Sequence, residues 1–303
     1  MNRPDLLEGC LDGLLRLNGT PMEVIVTAYM YSEENLSRLT ERFPGLKIVR
    51  SDSLRGFSEN NNLALREASG EYVFVVNDDT VQEMPVVDHL LADIRSLGDK
   101  AAAVSPKIVF PDGKVQTCGR APWNMWKYMR HYLHLVDETR PGKWTMKDGL
   151  FRTGTLNGAC FLARKEVFRQ AGWFDETYTF TPEDIALGQK FREMGFELWC
   201  DADAVITHLA GGTVSSLEAA IKPTRVKGAL LFYSKGSGLR YLTLGCFIKA
   251  VEALRRLKYA VKGHKEGYSK LMYDTSRNVS EIVFSPMSTK EIFKKFYLET
   301  HAG

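Results

Sequence analysis

The segment EYVFVVNDD, residues 71–79, is the strongest strand pattern in this chain of 303 residues. Its apolar residues follow one another almost without interruption, which is typical of a strand buried on both faces of a sheet. Three more β-rich segments alternate with helical patterns, the segments at 22–28, 46–50 and 101–106 with the helices at 32–42, 58–68 and 86–97. Strands separated by helices of this length indicate parallel βαβ units. The sequence therefore predicts an α/β fold with a mostly parallel sheet and helices on both faces.

The pattern changes after residue 106. Residues 107–116 are typical of a hairpin with a Pro-Asp-Gly turn, and the irregular, aromatic and basic residues 119–150 predict a long loop region. The sequence then predicts a strand, a helix that begins with a Pro and two acids, and two short strands, at 158–164, 182–195, 196–200 and 204–208. From about residue 215 the chain is mainly helical and basic. We therefore expect a main domain over 1–214 and a helical extension over 215–303.

The composition is that of an ordinary soluble globular protein, with 44% apolar and 25% charged residues. The net charge of +3 gives no case for a nucleic-acid partner. The five cysteines are scattered without a CxxC pair, which disfavours zinc and a disulfide framework and favours a reducing compartment. There is no secretory signal and no apolar run of the ~18–20 residues that a bilayer span needs. We expect a cytoplasmic protein, free or peripheral on the cytoplasmic membrane face.

The positive charge is concentrated in the extension. Between Lys222 and Lys270 there are twelve Lys or Arg residues and two acids, Glu252 and Glu266. Within this block, residues 239–265 place apolar residues at helical spacing with Lys and Arg between them. Two interpretations remain open. The segment is either an interfacial helix on an anionic membrane, or a helix that packs on the main domain and leaves a solvated basic face.

Two adjacent acids follow the apolar strand, in Asn77-Asp78-Asp79. In an open α/β sheet, ligands bind at the carboxyl ends of the strands. Carboxylates at that edge can hold a hard divalent cation, and the cation can hold a diphosphate. The alternative is a solvated turn, because Asp and Asn are common after strands.

Two more groups have side chains suited to catalysis or metal binding. Glu183-Asp184, at the start of a predicted helix, is either a carboxylate base held at a pocket edge or a pair that complements the helix dipole. His208 closes a predicted strand and is either structural or a metal ligand beside carboxylates. Residues 55–62, at the start of another helix, contain neither a GxGxxG nor a Walker motif, so neither a Rossmann cofactor site nor a P-loop is supported.

The order and spacing of these groups are more specific than any one of them. The chain carries the motifs GFSENNN (56–62), GEYVFVVNDDT (70–80), NGACFLARKEVFRQAGWFDE (157–176), PEDIALGQKFREMGFEL (182–198) and AVITHLAGGT (204–213). With them it resembles the family 2 glycosyltransferases of the GT-A fold, especially the bacterial rhamnosyltransferase-like branch. The resemblance implies a GT-A catalytic domain over 1–214. It implies an enzyme that transfers a sugar from a nucleotide diphosphate donor to a hydroxyl of a glycan or lipid-linked acceptor in surface polysaccharide assembly. The branch suggests dTDP-rhamnose as donor.

The resemblance also implies roles for individual residues. Asp79 matches the acid of a DxD-type motif that binds a divalent cation, Mn²⁺ or Mg²⁺, and His208 matches a histidine that contributes to metal or diphosphate binding. Asp184 matches the catalytic base, with Glu183 as the alternative. The donor is expected at Gly56, Phe57, Asn62, Asn77, Asp78 and Asp79. The acceptor and the donor sugar are expected to meet at Asn157, Gly158, Ala159 and Trp173.

These residue types suit an inverting displacement. A cation stabilises the leaving nucleoside diphosphate as a Lewis acid, and a carboxylate removes the proton of an acceptor hydroxyl. One base and a direct displacement invert the anomeric carbon, whereas a glycosidase needs two carboxylates that flank the bond.

The sequence departs from the family pattern in its first part. The family begins with an apolar strand, but PDLLEGCLDGLLRLN (4–18) looks like the helix that normally follows that strand. The next strand normally ends in an acid that binds the nucleotide base, and residues 26–30 contain none. Leu54 stands in place of an Asn, and Ala186 in place of the second acid of an EDxD pattern. A missing central strand would expose unpaired backbone groups, so another segment or chain would have to cover them. We therefore expect weak or atypical donor binding.

Three explanations for the missing strand remain open. The start was assigned too late or the chain is truncated, the nucleotide is held by other residues, or catalysis has been lost. The main alternative function is accordingly a degenerate glycosyltransferase-like binding or assembly subunit. A sugar nucleotidyltransferase is a weaker alternative, because the Gly-rich, basic signature expected near its N-terminus is not seen.

Overall fold

The computed structural model describes residues 2–209, 217–261 and 267–301. The strands in these ranges are β1 (Ile25–Tyr29), β2 (Lys47–Ser51), β3 (Tyr72–Val76), β4 (Thr80–Gln82), β5 (Ala101–Val109), β6 (Val115–Thr117), β7 (Leu150–Thr153), β8 (Cys160–Arg164) and β9 (Glu197–His208). The helices are α1 (Pro4–Leu17), α2 (Glu33–Arg42), α3 (Phe57–Glu67), α4 (Val86–Ser96), α5 (Met125–Tyr132), α6 (Lys165–Gln170), α7 (Glu183–Glu193), α8 (Glu218–Ser234), α9 (Gly238–Val261), α10 (Gly267–Ile282) and α11 (Thr289–His301).

The central strands are apolar throughout because helices cover both of their faces. In β8, Phe161 and Ala163 join a buried cluster with side chains of α3, α6 and α7. The alternate residues of the same strand, Cys160 and Leu162, join a different cluster with α4. Successive side chains of a strand point to opposite faces, so a strand buried on both sides has no position left for a polar residue. The predicted α/β class is confirmed.

The central sheet has the strand order β3-β8-β5-β9-β4, with β6 beside β5 and β7 beside β9. Strands β5 and β9 are parallel, and β8 is antiparallel to both β3 and β5, so β3, β5 and β9 run in one direction. The short strands β4, β6 and β7 are antiparallel to their neighbours. The carboxyl ends of β3 and β9 and the amino end of β8 therefore lie at the same edge of the sheet.

The sheet is interrupted between β1 and β3. Among the described strands, β1 pairs with β2 alone and β3 with β8 alone. The free edges of β1 and β3 line two neighbouring cavities of about 440 and about 320 Å³. The larger cavity is lined by the first residue of β1 and by all of β3, and the smaller by most of β1 and by the last residue of β3 and the two residues after it, so β1 and β3 run in the same direction on either side of the gap. None of the described strands fills this gap, where the family resemblance leads us to expect one more strand.

Two predictions made for the middle of the chain were wrong in detail. Residues 119–150 are not all loop: Asn124 accepts a hydrogen bond from the backbone of Lys127 and caps α5, and Leu150 begins β7. The two short strands predicted at 196–200 and 204–208 form one strand, β9. Pro106 is opposite Asp201 and Lys107 is opposite Val205, so residues 202–204 bulge out of the pairing with β5.

Helices α8–α11 form one buried cluster with the main domain. Ile185 of α7 and Tyr132 of α5 share this cluster with residues of all four helices. Tyr132 also donates a hydrogen bond to Glu252, a fully buried carboxylate on α9 that pairs with Arg255. The extension is therefore packed against the main domain. The predicted boundary at residue 214 and the predicted Gly-Gly pair after His208 fall within 210–216, outside the described residues.

Candidate active site

Backbone hydrogen bonds bring three segments together at one edge of the sheet. The amide of Asn77, just after β3, donates to the carbonyl of Ala159 before β8 at 2.9 Å. The amide of Leu209, just after β9, donates to the carbonyl of Asp79 at 2.8 Å. The acids after β3 are thereby fixed beside both the Asn157–Ala159 loop and His208.

Asp79 and His208 are in direct contact. His208 Nε2 lies 3.1 Å from Asp79 Oδ1, because Thr80 of β4 is paired in register with His208 of β9. The other ring nitrogen, Nδ1, lies 2.9 Å from Oε1 of Gln116 on β6, which holds the imidazole in one orientation. The two side chains keep 17% and 13% of their surface exposed, so a ligand can still reach them.

This pair fits a divalent cation. A carboxylate suits Mg²⁺ and Mn²⁺, and an imidazole is a common second ligand. Within the described ranges there is no group of three or more His, Cys, Asp or Glu residues that could hold a metal ion. A cation at Asp79 and His208 would therefore take its remaining ligands from a bound molecule or from water.

Asp78 belongs to a different surface from Asp79. It lines the cavity of about 320 Å³ between β1 and β3, together with Gly56, Phe57 and Asn77. Burial raises the pKa of Asp78 above its usual range. Four of the residues predicted for the donor thus share one cavity.

The close approach of Gly56 to a neighbouring loop positions Phe57. The amide of Phe57 donates to the carbonyl of Thr179 at 2.8 Å, and a Cβ atom on Gly56 would overlap that carbonyl. A residue larger than glycine would force the two backbones apart. The glycine at this position therefore sets where α3 begins relative to the cavity.

We term the cavity of about 320 Å³ that contains Gly56, Phe57, Asn77 and Asp78 the donor cavity. Gly158 lies between this cavity and the Glu183-Asp184 pair. A Cβ atom on Gly158 would be 3.6 Å from the ring of Phe57, 3.6 Å from Glu183 Oε1 and 3.5 Å from Asp184 Cβ. The side chain of the preceding residue, Asn157, is used locally, since its Oδ1 accepts from the amide of Ala159 at 2.9 Å. The carboxylate pair and the donor cavity are thus separated by little more than this glycine.

Asp184 is held by three hydrogen-bond donors. Arg120 Nη1 donates to its Oδ2 at 2.8 Å, the amide of Gly158 donates to the same oxygen at 3.2 Å, and the amide of Ile185 donates to Oδ1 at 2.7 Å. Arg120 exposes only 14% of its side chain and also donates to Glu138, at 3.2 Å. The ion pair and the two backbone donors fix the orientation of the Asp184 carboxylate.

Glu183 has a contrasting environment. Its side chain is buried, and its Oε2 has no hydrogen-bond partner among the described residues. Burial raises the pKa of Glu183, and the neighbouring carboxylate of Asp184 raises it further. Glu183 is therefore stabilised as a neutral acid, whereas Asp184 is paired with the Arg120 guanidinium.

Asn62 and Trp173 do not reach this part of the molecule. Both line a separate cavity of about 460 Å³. The amide of Asn62 donates to the carbonyl of Phe174 and to Glu176, and its oxygen accepts from the amide of Phe174, so its side chain is used within the fold. Trp173 packs on Phe168, with the ring centroids 5.3 Å apart.

Sequence reasoning missed four residues of the site. Arg120 and Gln116 lie far along the chain from the groups they hold, and their local sequence gives no signal for either contact. Tyr29 and Arg55 line the donor cavity, where the backbone of Arg55 donates to the Tyr29 hydroxyl at 3.2 Å. The sequence signal for both residues was their position alone. Arg55 precedes the predicted donor loop, and Tyr29 is the last residue of β1.

Comparison with known proteins agrees with the motifs and the fold. Residues 1–171 match the model of the family described as glycosyl transferase family 2. The match covers more than half of the chain. The chain belongs to glycosyl transferase family 2. It is therefore a glycosyltransferase, with the DxD-type acids at 78–79 inside the matched region.

Two relatives place the chain in the rhamnosyltransferase-like branch of the family. It is 26% identical over 222 residues to the O-antigen biosynthesis protein RfbC of Myxococcus xanthus, which is 68% of this chain and 16% of that protein. It is 25% identical over 236 residues to N-acetylglucosaminyl-diphospho-decaprenol L-rhamnosyltransferase of Mycobacterium tuberculosis, covering 68% of this chain and 73% of that enzyme. The chain therefore corresponds to a small part of the first relative and to most of the second.

Solved structures confirm the GT-A fold. The mannosyltransferase PcManGT from Pyrobaculum calidifontis, in complex with GDP-Man and Mn²⁺, matches 99% of this chain and 83% of its own, with a TM-score of 0.52 at 16% identity. GalNAc-T7 with UDP, GalNAc and Mn²⁺ matches 66% of this chain and 40% of its own, with a TM-score of 0.50 at 14% identity. At these identities the likeness concerns the fold.

Proposed function

We propose that this glycosyltransferase is inverting and metal-dependent, and that it acts in cell-surface polysaccharide assembly. The observation that supports this best is the juxtaposition of two chemical groups at one sheet edge. The Asp79–His208 pair and the Glu183-Asp184 pair are both tied to the Asn157–Ala159 loop, through the backbone of Ala159 and of Gly158. One group suits the leaving diphosphate and the other suits the attacking hydroxyl.

The donor half of the site would bind a nucleotide diphosphate sugar. The solved relatives hold GDP-Man or UDP, and the mycobacterial relative is an L-rhamnosyltransferase, which supports dTDP-rhamnose as the first donor to test. Gly56, Phe57, Asn77 and Asp78 would contact the donor from the cavity they line. Asp79 and His208 would hold Mn²⁺ or Mg²⁺, which, when bound, supplies Lewis-acid stabilisation of the diphosphate charge.

The acceptor half would use Asp184 as the base. Its carboxylate takes the proton of the acceptor hydroxyl while that oxygen bonds to the anomeric carbon and the bond to the diphosphate oxygen breaks. Arg120 and the amide of Gly158 orient the carboxylate for this transfer. A single displacement inverts the anomeric configuration. Glu183 is the alternative base, and the site of sugar transfer would lie at Gly158.

The acceptor is proposed to be a glycan or a lipid-linked sugar. The decaprenol diphosphate in the name of the mycobacterial relative supports the lipid-linked class. None of the helices in the described ranges is long and apolar enough to cross a membrane. All five cysteines are free, which supports a reducing compartment and hence the cytoplasmic side, where we place the enzyme.

A donor screen tests this proposal. Purified protein is incubated with a panel of nucleotide sugars and Mn²⁺ or Mg²⁺, and release of the nucleoside diphosphate is measured with and without a chelator. We expect release of the nucleoside diphosphate to be strongest from dTDP-rhamnose and to stop when the cation is removed. Release that the chelator does not change would contradict the metal dependence.

Two variants make the screen specific for the site. Asp79→Asn keeps the size of the side chain and removes the carboxylate, so the metal-dependent release should fall by at least about 100-fold, as for removal of one charge-stabilising group. Glu166→Gln changes an exposed acid that pairs with Arg169 on α6, which follows the carboxyl end of β8 at the opposite edge of the sheet, and should leave release unchanged. Equal activity of the two variants would place the reaction elsewhere.

A further inference from the structure

Helix α9 exposes an apolar face that its packing does not explain. The side of α9 facing the other helices buries Leu244, Gly245, Ile248 and Glu252. The opposite side, which we term the outer face, carries the exposed residues Leu239, Leu242, Cys246, Ala250, Ala253, Leu254, Leu257 and Val261. At 100° per residue these positions form one stripe along the whole helix, and Thr243, whose hydroxyl donates to the carbonyl of Leu239, is the one exposed polar residue within it. A helix with one packed face normally presents polar residues on its other side.

The exposure of the outer face is large. Leu239, Leu254, Leu257 and Val261 expose 75%, 69%, 62% and 81% of their surface. Single exposed leucines are ordinary on a protein surface, but a continuous stripe over six turns of helix indicates a binding surface.

Basic side chains border the outer face on both sides. Arg240 and Lys258 lie along one margin of the stripe, and Lys249 and Arg256 along the other, as their spacing on the helix requires. None of these four residues forms an ion pair with any other described residue. The helix contains one acid, Glu252, which is buried and already paired with Arg255. The surface is therefore apolar at its centre and uniformly positive at its edges.

This combination selects one kind of partner. An apolar stripe bordered by Lys and Arg is the pattern of a helix that lies in the interface of a bilayer with anionic lipids. A solvated basic face, the other interpretation of the sequence, requires polar residues at the centre of the exposed side, where leucines are found. We propose that α9 docks on an anionic lipid surface through its outer face. The docking itself does not depend on the proposed function. Only its role does, which is to bring the active site to a lipid-linked acceptor.

Vesicle sedimentation tests the docking without any sugar transfer. The full chain is mixed with phosphatidylcholine vesicles with and without phosphatidylglycerol. We expect binding to the anionic vesicles only, and its loss at high salt, because salt screens the basic margins. Equal binding to both vesicle types, or none to either, would overturn the proposal.

Three double variants locate the surface. Leu254→Ser with Leu257→Ser removes apolar contact from the outer face, and Lys249→Gln with Arg256→Gln removes charge from one margin. Each basic residue adds to the attraction of an anionic surface, so the margin variant should lose roughly 30-fold in vesicle affinity. The control, Lys294→Gln with Leu298→Ser, changes an exposed Lys and an exposed Leu on α11 and should bind like the original protein.

Two further readouts separate the outcomes. Circular dichroism of the variants shows whether α9 remains folded. Sedimentation equilibrium without lipid shows whether the outer face binds a second copy of the chain: a dimer that the leucine variant abolishes would overturn the proposal. Donor cleavage in solution is measured alongside. If cleavage is retained when vesicle binding fails, the docking is wrong and the proposed function stands.

Discussion

Arg120 determines the arrangement of the carboxylates at the active site. It donates to Asp184 and Glu138 at once, and it also donates to the carbonyl of Leu156. A buried cation between two carboxylates compensates both, and its removal leaves them unpaired. The base proposed for the reaction therefore depends on a residue 64 positions earlier in the chain.

Replacing Arg120 should affect both stability and catalysis. We expect Arg120→Gln to lower the free energy of unfolding by about 3–5 kcal/mol, the usual effect of breaking a buried ion pair. The turnover number should fall as well, because Asp184 loses its orientation. Urea unfolding and nucleoside diphosphate release measure the two effects. Arg140→Gln, which removes an exposed pair with Asp137, is the control and should cost less than about 1 kcal/mol. Equal stability of the two variants would show that Arg120 has no structural role.

Glu183 should make the stability of the protein fall as the pH rises. Its pKa is raised in the folded protein from 4.5 to about 8, chiefly by burial, so the folded state favours the neutral acid. Below pH 4.5 the acid is neutral in both the folded and the unfolded state, so this preference does not lower the free energy of unfolding. Between pH 4.5 and about 8 the unfolded chain ionises first, and stability is lost at up to about 1.4 kcal/mol per pH unit.

The neutral variant Glu183→Gln removes this dependence. The melting temperature of the variant, relative to the original protein, should rise steadily across that pH range. Glu193→Gln, an exposed substitution on the same helix, should show no such trend. A Glu183→Gln difference that stays constant with pH would mean that folding does not raise the pKa of Glu183.

At the scale of elements, the gap between β1 and β3 is the feature with the largest consequence for function. The residues proposed to hold the metal and to act as the base follow β3 (Asp79) or lie on β9 (His208) and α7 (Asp184), in the intact part of the molecule. The residues that would bind the nucleotide line the gap, where β1 ends without an acid and Tyr29 and Arg55 are among the polar lining residues. The proposed donor site is therefore bordered by the unpaired edges of β1 and β3.

We expect the gap between β1 and β3 to lower the affinity for the donor or to change its nucleotide preference. Calorimetric titration of nucleotide sugars in the presence of Mn²⁺ should give weak binding or an unusual nucleotide preference. Arg55→Gln should weaken it further, whereas Arg140→Gln should not. Tight, metal-dependent binding of an ordinary donor would contradict this expectation.

The sequence predicted the elements whose signal is local. The apolar run of β3, the capped start of α2 at Ser32 and the acidic start of α7 each identify their element without reference to the rest of the chain. The continuity of β9 could not be predicted, because the bulge at residues 202–204 is defined by its pairing with β5. The family motif predicted a metal-binding role for both Asp79 and His208, and their direct contact is seen only in the structure. The Arg120–Asp184 pair was not predicted. Arg120 lies in a segment with no regular sequence pattern, 64 residues before Asp184 in the first turn of α7.

The whole molecule combines a sheet edge that carries the candidate active site with an extension that carries the positive charge. The net charge of +3 says little, since the basic residues are concentrated along α8–α10 and several of them border the outer face of α9. We propose that the boundary between the two parts lies near residue 214. The packing of Ile185 and Tyr132 into the same cluster as α8–α11 means that the extension and the active-site helix α7 share a core.

The central claim is that the carboxylate pair at the sheet edge performs sugar transfer. It is tested most directly by the turnover of Asp184→Asn, with Glu183→Gln beside it, on the donor identified in the screen. We predict that Asp184→Asn loses at least about 100-fold in turnover and keeps the donor affinity of the original protein, as expected for removal of a general base. Unchanged turnover in Asp184→Asn, with an original protein that is active, would contradict the assignment.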